Sequence, residues 1–68
     1  MKENFAIRLS WLRHDKKISQ HALAKIVGVT QKAIDFWEKG INEPKATYII
    51  RLAQYFEVST DFLLGLEE

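Results

Sequence analysis

Apolar residues recur along the chain at helical spacing, and each run is punctuated at both ends. Over about Glu3–Lys16, Phe5, Leu9, Leu12 and the stem of Lys16 form one stripe. A second run starts behind Ser19, a good N-cap, with Ile18 placed to staple onto Leu23. Ala22, Ala24, Ile26 and Val27 follow before Gly28 closes it. A third run repeats this grammar: Val29 staples to Ile34, Thr30 caps the start and Gly40 stops the end. The loop Ile-Asn-Glu-Pro-Lys leads to a fourth segment over Ala46–Phe56, where Ala46, Ile49, Leu52, Ala53 and Phe56 share a face. A short fifth segment runs from Ser59 as cap to Gly65. No segment alternates with a period of two between turn signals. The pattern predicts an all-α chain of five short helices, folded as a single domain over residues 1–68.

The link between the second and third helices is specific. A turn of three to four residues containing glycine forces two short helices to cross sharply, at about 90–120°. Gly28 supplies a left-handed conformation that a Cβ disfavours, and Ala24 allows close approach one turn earlier. Ile34 and Trp37, three apart, then face the core. Phe36 lies about 100° from Trp37 on the helix, so both cannot point inward. An ordinary helical hairpin is the plainer alternative for this element.

Composition narrows the function. Sixty-eight residues suffice for one small domain, and cysteine is absent, which removes disulfides, thiolate metal sites and thiol catalysis. No leader-like segment or membrane-length apolar run occurs, so a soluble, cytoplasmic protein is expected. The formal net charge of +1 hides an asymmetry. Residues 1–45 carry nine bases against five acids, a net of +4, whereas residues 46–68 carry one base against four acids, a net of −3. A basic front suits a polyanion. His14 and His21 lack partners at metal-ligand spacing, and no nucleophile–base–acid set or phosphate-cradling glycine loop occurs. Neither an enzyme nor a metal, cofactor or small-molecule site is expected.

Taken in order and spacing, Leu12-Arg13, Ile18-Ser19-Gln20, Leu23-Ala24, Val27-Gly28-Val29-Thr30, Ile34, Trp37-Glu38, Gly40, Pro44, Leu52-Ala53, Phe56, Val58-Ser59 and Asp61-Phe62-Leu63-Leu64-Gly65 are distinctive. This set resembles the helix-turn-helix family of the lambdoid phage repressors and Cro proteins, from roughly Phe5 to Gly65. The resemblance implies a lambda-repressor-like fold, with the helix-turn-helix element over about residues 20–39 and the third helix as recognition helix. With Ile34 and Trp37 inward, Gln31, Lys32, Asp35 and Phe36 are left for the bases, and the family's base-reading positions fall on the same residues. Glutamine suits adenine, lysine guanine, aspartate cytosine N4 and phenylalanine a thymine methyl. Two residues keep a second reading: Asp35 as a group that only orients Lys32 or Lys39, and Phe36 as a side chain folded against Ile41.

The resemblance also implies phosphate contacts by Gln20, Lys39, Asn42 and Lys45, which set register without reading sequence. It pairs Arg13 with Glu38 in a partly buried ion bridge. It places a homodimer contact around Val58, Phe62, Leu63 and Leu66. Two apolar groups fall outside the core stripes: Ile7 with Trp11, and Tyr48 with Tyr55 about Arg51. They suggest an interface, unless Leu64-Gly65-Leu66 covers Trp11. The functional expectation is a sequence-specific regulator of transcription, a repressor, binding double-stranded DNA as a dimer. The rival is a protein-binding module, antitoxin-like or anti-repressor, on the same fold. A third possibility is one domain of a longer regulator.

Overall fold

The structure, a computed structural model, describes the backbone of residues 2–67 and the side chains of residues 4–67. It contains five helices among the described residues: α1 Lys2–Asp15, α2 Gln20–Val27, α3 Gln31–Glu38, α4 Ala46–Phe56 and α5 Thr60–Leu63. α2 packs on α3, α1 on α3 and α5, and α4 on α2 and α5, within 27 × 23 × 21 Å. One core joins them. Phe5, Leu9, Leu12, Leu23, Ala24, Val27, Ile34, Trp37, Leu52, Ala53 and Leu63 are all buried in it.

Three starts are fixed by hydroxyl caps. Ser19 Oγ accepts from Ala22 N at 3.0 Å, Thr30 Oγ1 from Ala33 N at 3.1 Å, and Ser59 Oγ from Phe62 N at 2.9 Å. α4 starts at Lys45 without a side-chain cap.

The ends share one device. The amide of an apolar residue reaches back five positions: Ile18 to Arg13 O, Val29 to Ala24 O, Ile41 to Phe36 O, Val58 to Ala53 O and Leu66 to Asp61 O. The residue before each is left-handed: Lys17 (φ 57°), Gly28 (φ 87°), Gly40 (φ 72°), Glu57 (φ 58°) and Gly65 (φ 80°). Glycine relieves the strain at three of these ends, and Lys17 and Glu57 bear it at the other two. At those two the following residues, Ile18 and Val58, pack onto the core and hold the turn.

Several expectations shift. The Lys16 stem is exposed rather than part of the core stripe, and its ammonium sits 4.5 Å from the Tyr55 ring centroid. Ile26 is 51% exposed. Tyr48 and Tyr55 form no outward patch: both pack against the core, Tyr48 on Trp37 and Tyr55 on Phe56. Leu64-Gly65-Leu66 leaves Trp11 59% exposed. Gly65 instead abuts Asn4, where an added Cβ would come within 2.5 Å of Asn4 Cβ. Among the described residues no helix is long and apolar enough to cross a membrane.

Candidate nucleic-acid interface

The geometry of α3 begins with the turn before it. Gly28 turns left-handed, its amide bonds Ala24 O at 2.8 Å, and Thr30 caps α3 two residues later. Ala24 is buried at 3% exposure, which lets α3 approach α2 closely. Ile34 is wholly buried and Trp37 is 5% exposed, with the Trp37 and Tyr48 ring centroids 5.9 Å apart. These two residues set the rotation of α3 about its own axis.

Arg51 adds a brace that the sequence pattern missed. Its Nη1 donates to Val27 O at 3.0 Å, so a cation closes the carbonyl end of α2. Its guanidinium also lies 5.6 Å from the Tyr48 ring centroid. An added Cβ on Gly28 would stand 3.2 Å from that same Nη1. The signal was present as an arginine between two tyrosines, but a contact 24 residues back along the chain has no local signature.

With Ile34 and Trp37 inward, α3 turns the predicted base-reading set outward. Gln31 and Lys32 are exposed, while Asp35 and Phe36 are half-buried. Lys32 Nζ lies 5.4 Å from the Phe36 ring centroid, one turn earlier on the same side. Asp35 is engaged at both oxygens. Gln20 Nε2 donates to Oδ1 at 3.3 Å, and Lys39 Nζ pairs with Oδ2 at 2.9 Å. The Lys39 and Gln20 bonds hold the Asp35 carboxyl below the ordinary carboxylate range.

The phosphate set divides in two. Asn42 and Lys45 are exposed, beside the uncapped start of α4. Gln20 and Lys39 are engaged within the chain, since Gln20 Nε2 also donates to Glu38 Oε1 at 3.2 Å. Glu38 is the hub of this network. Arg13 binds it bidentately, Nε to Oε2 at 2.6 Å and Nη2 to Oε1 at 3.1 Å, with side chains 13% and 8% exposed. Arg13 Nη1 donates further to Ile18 O at 3.0 Å. The Glu38 bond raises the Arg13 guanidinium above its ordinary value. The expected ion pair is therefore present, and it ties the end of α1 to the end of α3.

Away from α3, an apolar groove lies between Ile7, Arg8, Trp11 and Phe62. Arg8 stacks over Phe62, 4.3 Å to the centroid, and Nη1 donates to Phe62 O and Glu67 O. Of the residues expected at a dimer contact, Val58 and Phe62 are half-buried and Leu66 is 64% exposed. Leu63 is a correction. Its exposure is 0%, because the single turn of α5 points it into the core, so it offers nothing to a partner.

The family model described as helix-turn-helix matches residues 9–63. The chain belongs to the helix-turn-helix family. It is 39% identical over 57 residues to repressor protein C2 of Salmonella phage P22, covering 84% of this chain and 26% of that protein. The crystal structure of P22 c2 repressor in complex with a synthetic operator superposes with a TM-score of 0.83 at 36% identity, over 87% of this chain and 89% of that one. The HTH-type transcriptional regulator YqaE of Bacillus subtilis (strain 168) is 33% identical over 88% of this chain and 52% of its own length. The restriction-modification controller protein C.AhdI from Aeromonas hydrophila gives a TM-score of 0.83 at 27% identity, covering 91% and 94% of the two chains. The chain thus spans about a quarter of the C2 repressor and about half of YqaE.

Proposed function

We propose that the protein is a sequence-specific DNA-binding regulator of transcription, a repressor, which reads the major groove with α3. The observation that carries this is the fixed rotation of α3. Ile34 and Trp37 are buried, so Gln31 and Lys32 stand free at the N-terminal turn of a helix held after a sharp, capped turn. In helix-turn-helix docking that turn contacts base edges. Gln31 is assigned to adenine and Lys32 to guanine O6 or N7. Phe36, on the same side as Lys32, is assigned to a thymine methyl. Lys39, Asn42 and Lys45 are assigned to the backbone, with Gln20 bracing α3 from α2. The uncapped N–H groups at the start of α4 add a favourable place for phosphate next to Lys45.

A low net charge supports use in pairs, because one copy neutralises few phosphates. The contact between copies is assigned to Val58, Phe62 and Leu66, and Phe62 also lines the groove with the exposed Ile7 and Trp11. Selection of bound sequences from random DNA tests the proposal. The expected result is a near-palindromic site with half-site centres about 34 Å apart. Failure to enrich any sequence contradicts it. Sedimentation with a full site separates the dimer from the DNA reading: two copies per site are expected, and one at saturation removes the dimer.

A further inference from the structure

Asp35 is an odd group for a DNA-facing helix, since a carboxylate repels phosphate wherever the helix lands. Its surroundings give it another task. One oxygen accepts from Gln20, whose amide also reaches Glu38 and hence the Arg13 network. The other oxygen holds Lys39, whose side chain is 61% exposed. Lys39 belongs to the proposed phosphate set, and Gln20 braces α3 from α2. Each bonded oxygen keeps a further lone pair, so a contact to a cytosine amine is the competing role for this group.

We infer that Asp35 is a specificity-determining positioning residue: it clamps Lys39 and Gln20 and so restrains binding to non-cognate DNA. This rests on the DNA reading proposed above. Two effects act in the same direction. On arbitrary DNA, α3 is not seated, and a released Lys39 could swing its ammonium to any nearby phosphate. Clamped to Asp35, it adds no net charge there. On the cognate site α3 is seated, and a Lys39 already fixed beside Gln20 loses less side-chain freedom on contact. Removing the clamp therefore strengthens non-specific binding more than binding to the operator. The specificity ratio falls, although no base contact has been deleted.

The test is a double-mutant cycle. Asp35→Asn keeps an acceptor for Gln20, removes the charge that holds Lys39 and is nearly isosteric at a side chain 31% exposed. Wild type, Asp35→Asn, Lys39→Met and the double variant are titrated with a selected site and with random DNA at several salt concentrations. For Asp35→Asn, affinity for random DNA is expected to rise about two- to fivefold per bound copy, the scale of an exposed ion pair. Its salt slope is expected to steepen by up to about one per copy. Affinity for the selected site rises less than that for random DNA, so the ratio between them falls.

In the Lys39→Met background the Asp35→Asn gain should shrink. An equal gain in both backgrounds would mean that Asp35 acts only by its own repulsion, and would overturn the clamp. Loss of preference at one C·G pair would make Asp35 a base reader and overturn it too. These failures occur with a wild type that binds DNA. A wild type with no salt-dependent binding would instead remove the DNA reading itself.

Discussion

Trp37 keeps 5% of its exposure, while Phe36 beside it is half-buried under the Lys32 ammonium. Their different roles follow from the 100° step between neighbours on a helix. Trp37→Ala is expected to cost about 3–5 kcal/mol, the range for a large core deletion. Phe36→Ala is expected to cost about 0.75–1.5 kcal/mol, half the burial value of a phenyl ring. It should also abolish preference for one thymine in each half-site. Chemical denaturation checks the first pair of values, and binding to sites with uracil in place of each thymine checks the last. A Phe36→Ala variant that unfolds, or that keeps every base preference, contradicts the assignment. Asp35 supplies a pH signature. Its carboxyl lies below the ordinary value of 3.8, held there by Lys39 first and then Gln20. Its contribution to stability is complete above the unfolded value and is lost as pH falls through the folded one. Denaturation of wild type and Asp35→Asn should thus differ slightly near neutrality and converge in acid. A gap that persists in acid would mean the charge is not what matters. Helical spacing made the inward Trp37 readable in advance, and the family resemblance implied the Arg13–Glu38 pair. The engagement of Gln20 and Lys39 with Asp35 was not readable in this way. Spacing places residues on a face, but it does not say which of several polar neighbours a long side chain chooses.

At the scale of the elements, the caps carried most of the information. Ser19, Thr30 and Ser59 each bond the amide three residues on, and Gly28, Gly40 and Gly65 each turn left-handed. The ends at Lys17 and Glu57 carried a weaker signal, because neither residue favours positive φ. What marks them is the apolar residue that follows, Ile18 or Val58, seeking the core. Lys17→Gly is accordingly expected to raise stability by about 0.5–1 kcal/mol, the strain relieved less glycine's greater chain freedom when unfolded. A loss of stability on denaturation would show that Lys17 is not strained. The Arg13–Glu38 bridge is the other element-scale device, since it joins α1 to α3. Removing one partner leaves a charge 13% or 8% exposed without its counterion. Arg13→Ala is expected to cost about 3 kcal/mol, and replacing both residues with apolar ones of similar volume much less than twice that. Thermal melts of the three variants decide, and equal, additive losses would contradict a coupled pair.

For the molecule as a whole, the five helices among the described residues share one core, and α3 is held within it from two sides. α2 and α1 both pack on α3, Arg51 closes the end of α2, and Glu38 is tied back to α1. The sequence pattern gave away this architecture because each helix carries its own stripe and stops. It misjudged the tyrosines of α4, where helical spacing alone cannot tell an outer face from the rim of a core. The family resemblance put Leu63 at an interface, whereas the short α5 buries it in the core. The charge asymmetry, +4 over residues 1–45 against −3 beyond, places nine of the ten bases in the part of the chain that includes α3 and its flanking loop. The proposed function turns on whether the face of α3 and its flanking loop meets a polyanion. The most direct measurement is the affinity of the intact chain for its selected DNA site across a range of salt concentrations, repeated with Lys45→Ala. Binding should weaken linearly with the logarithm of salt concentration, and Lys45→Ala should flatten the slope by about one per bound copy, on specific and random DNA alike. Binding that ignores salt, or a Lys45→Ala loss confined to the specific site, would contradict the assignment of this face to the DNA backbone.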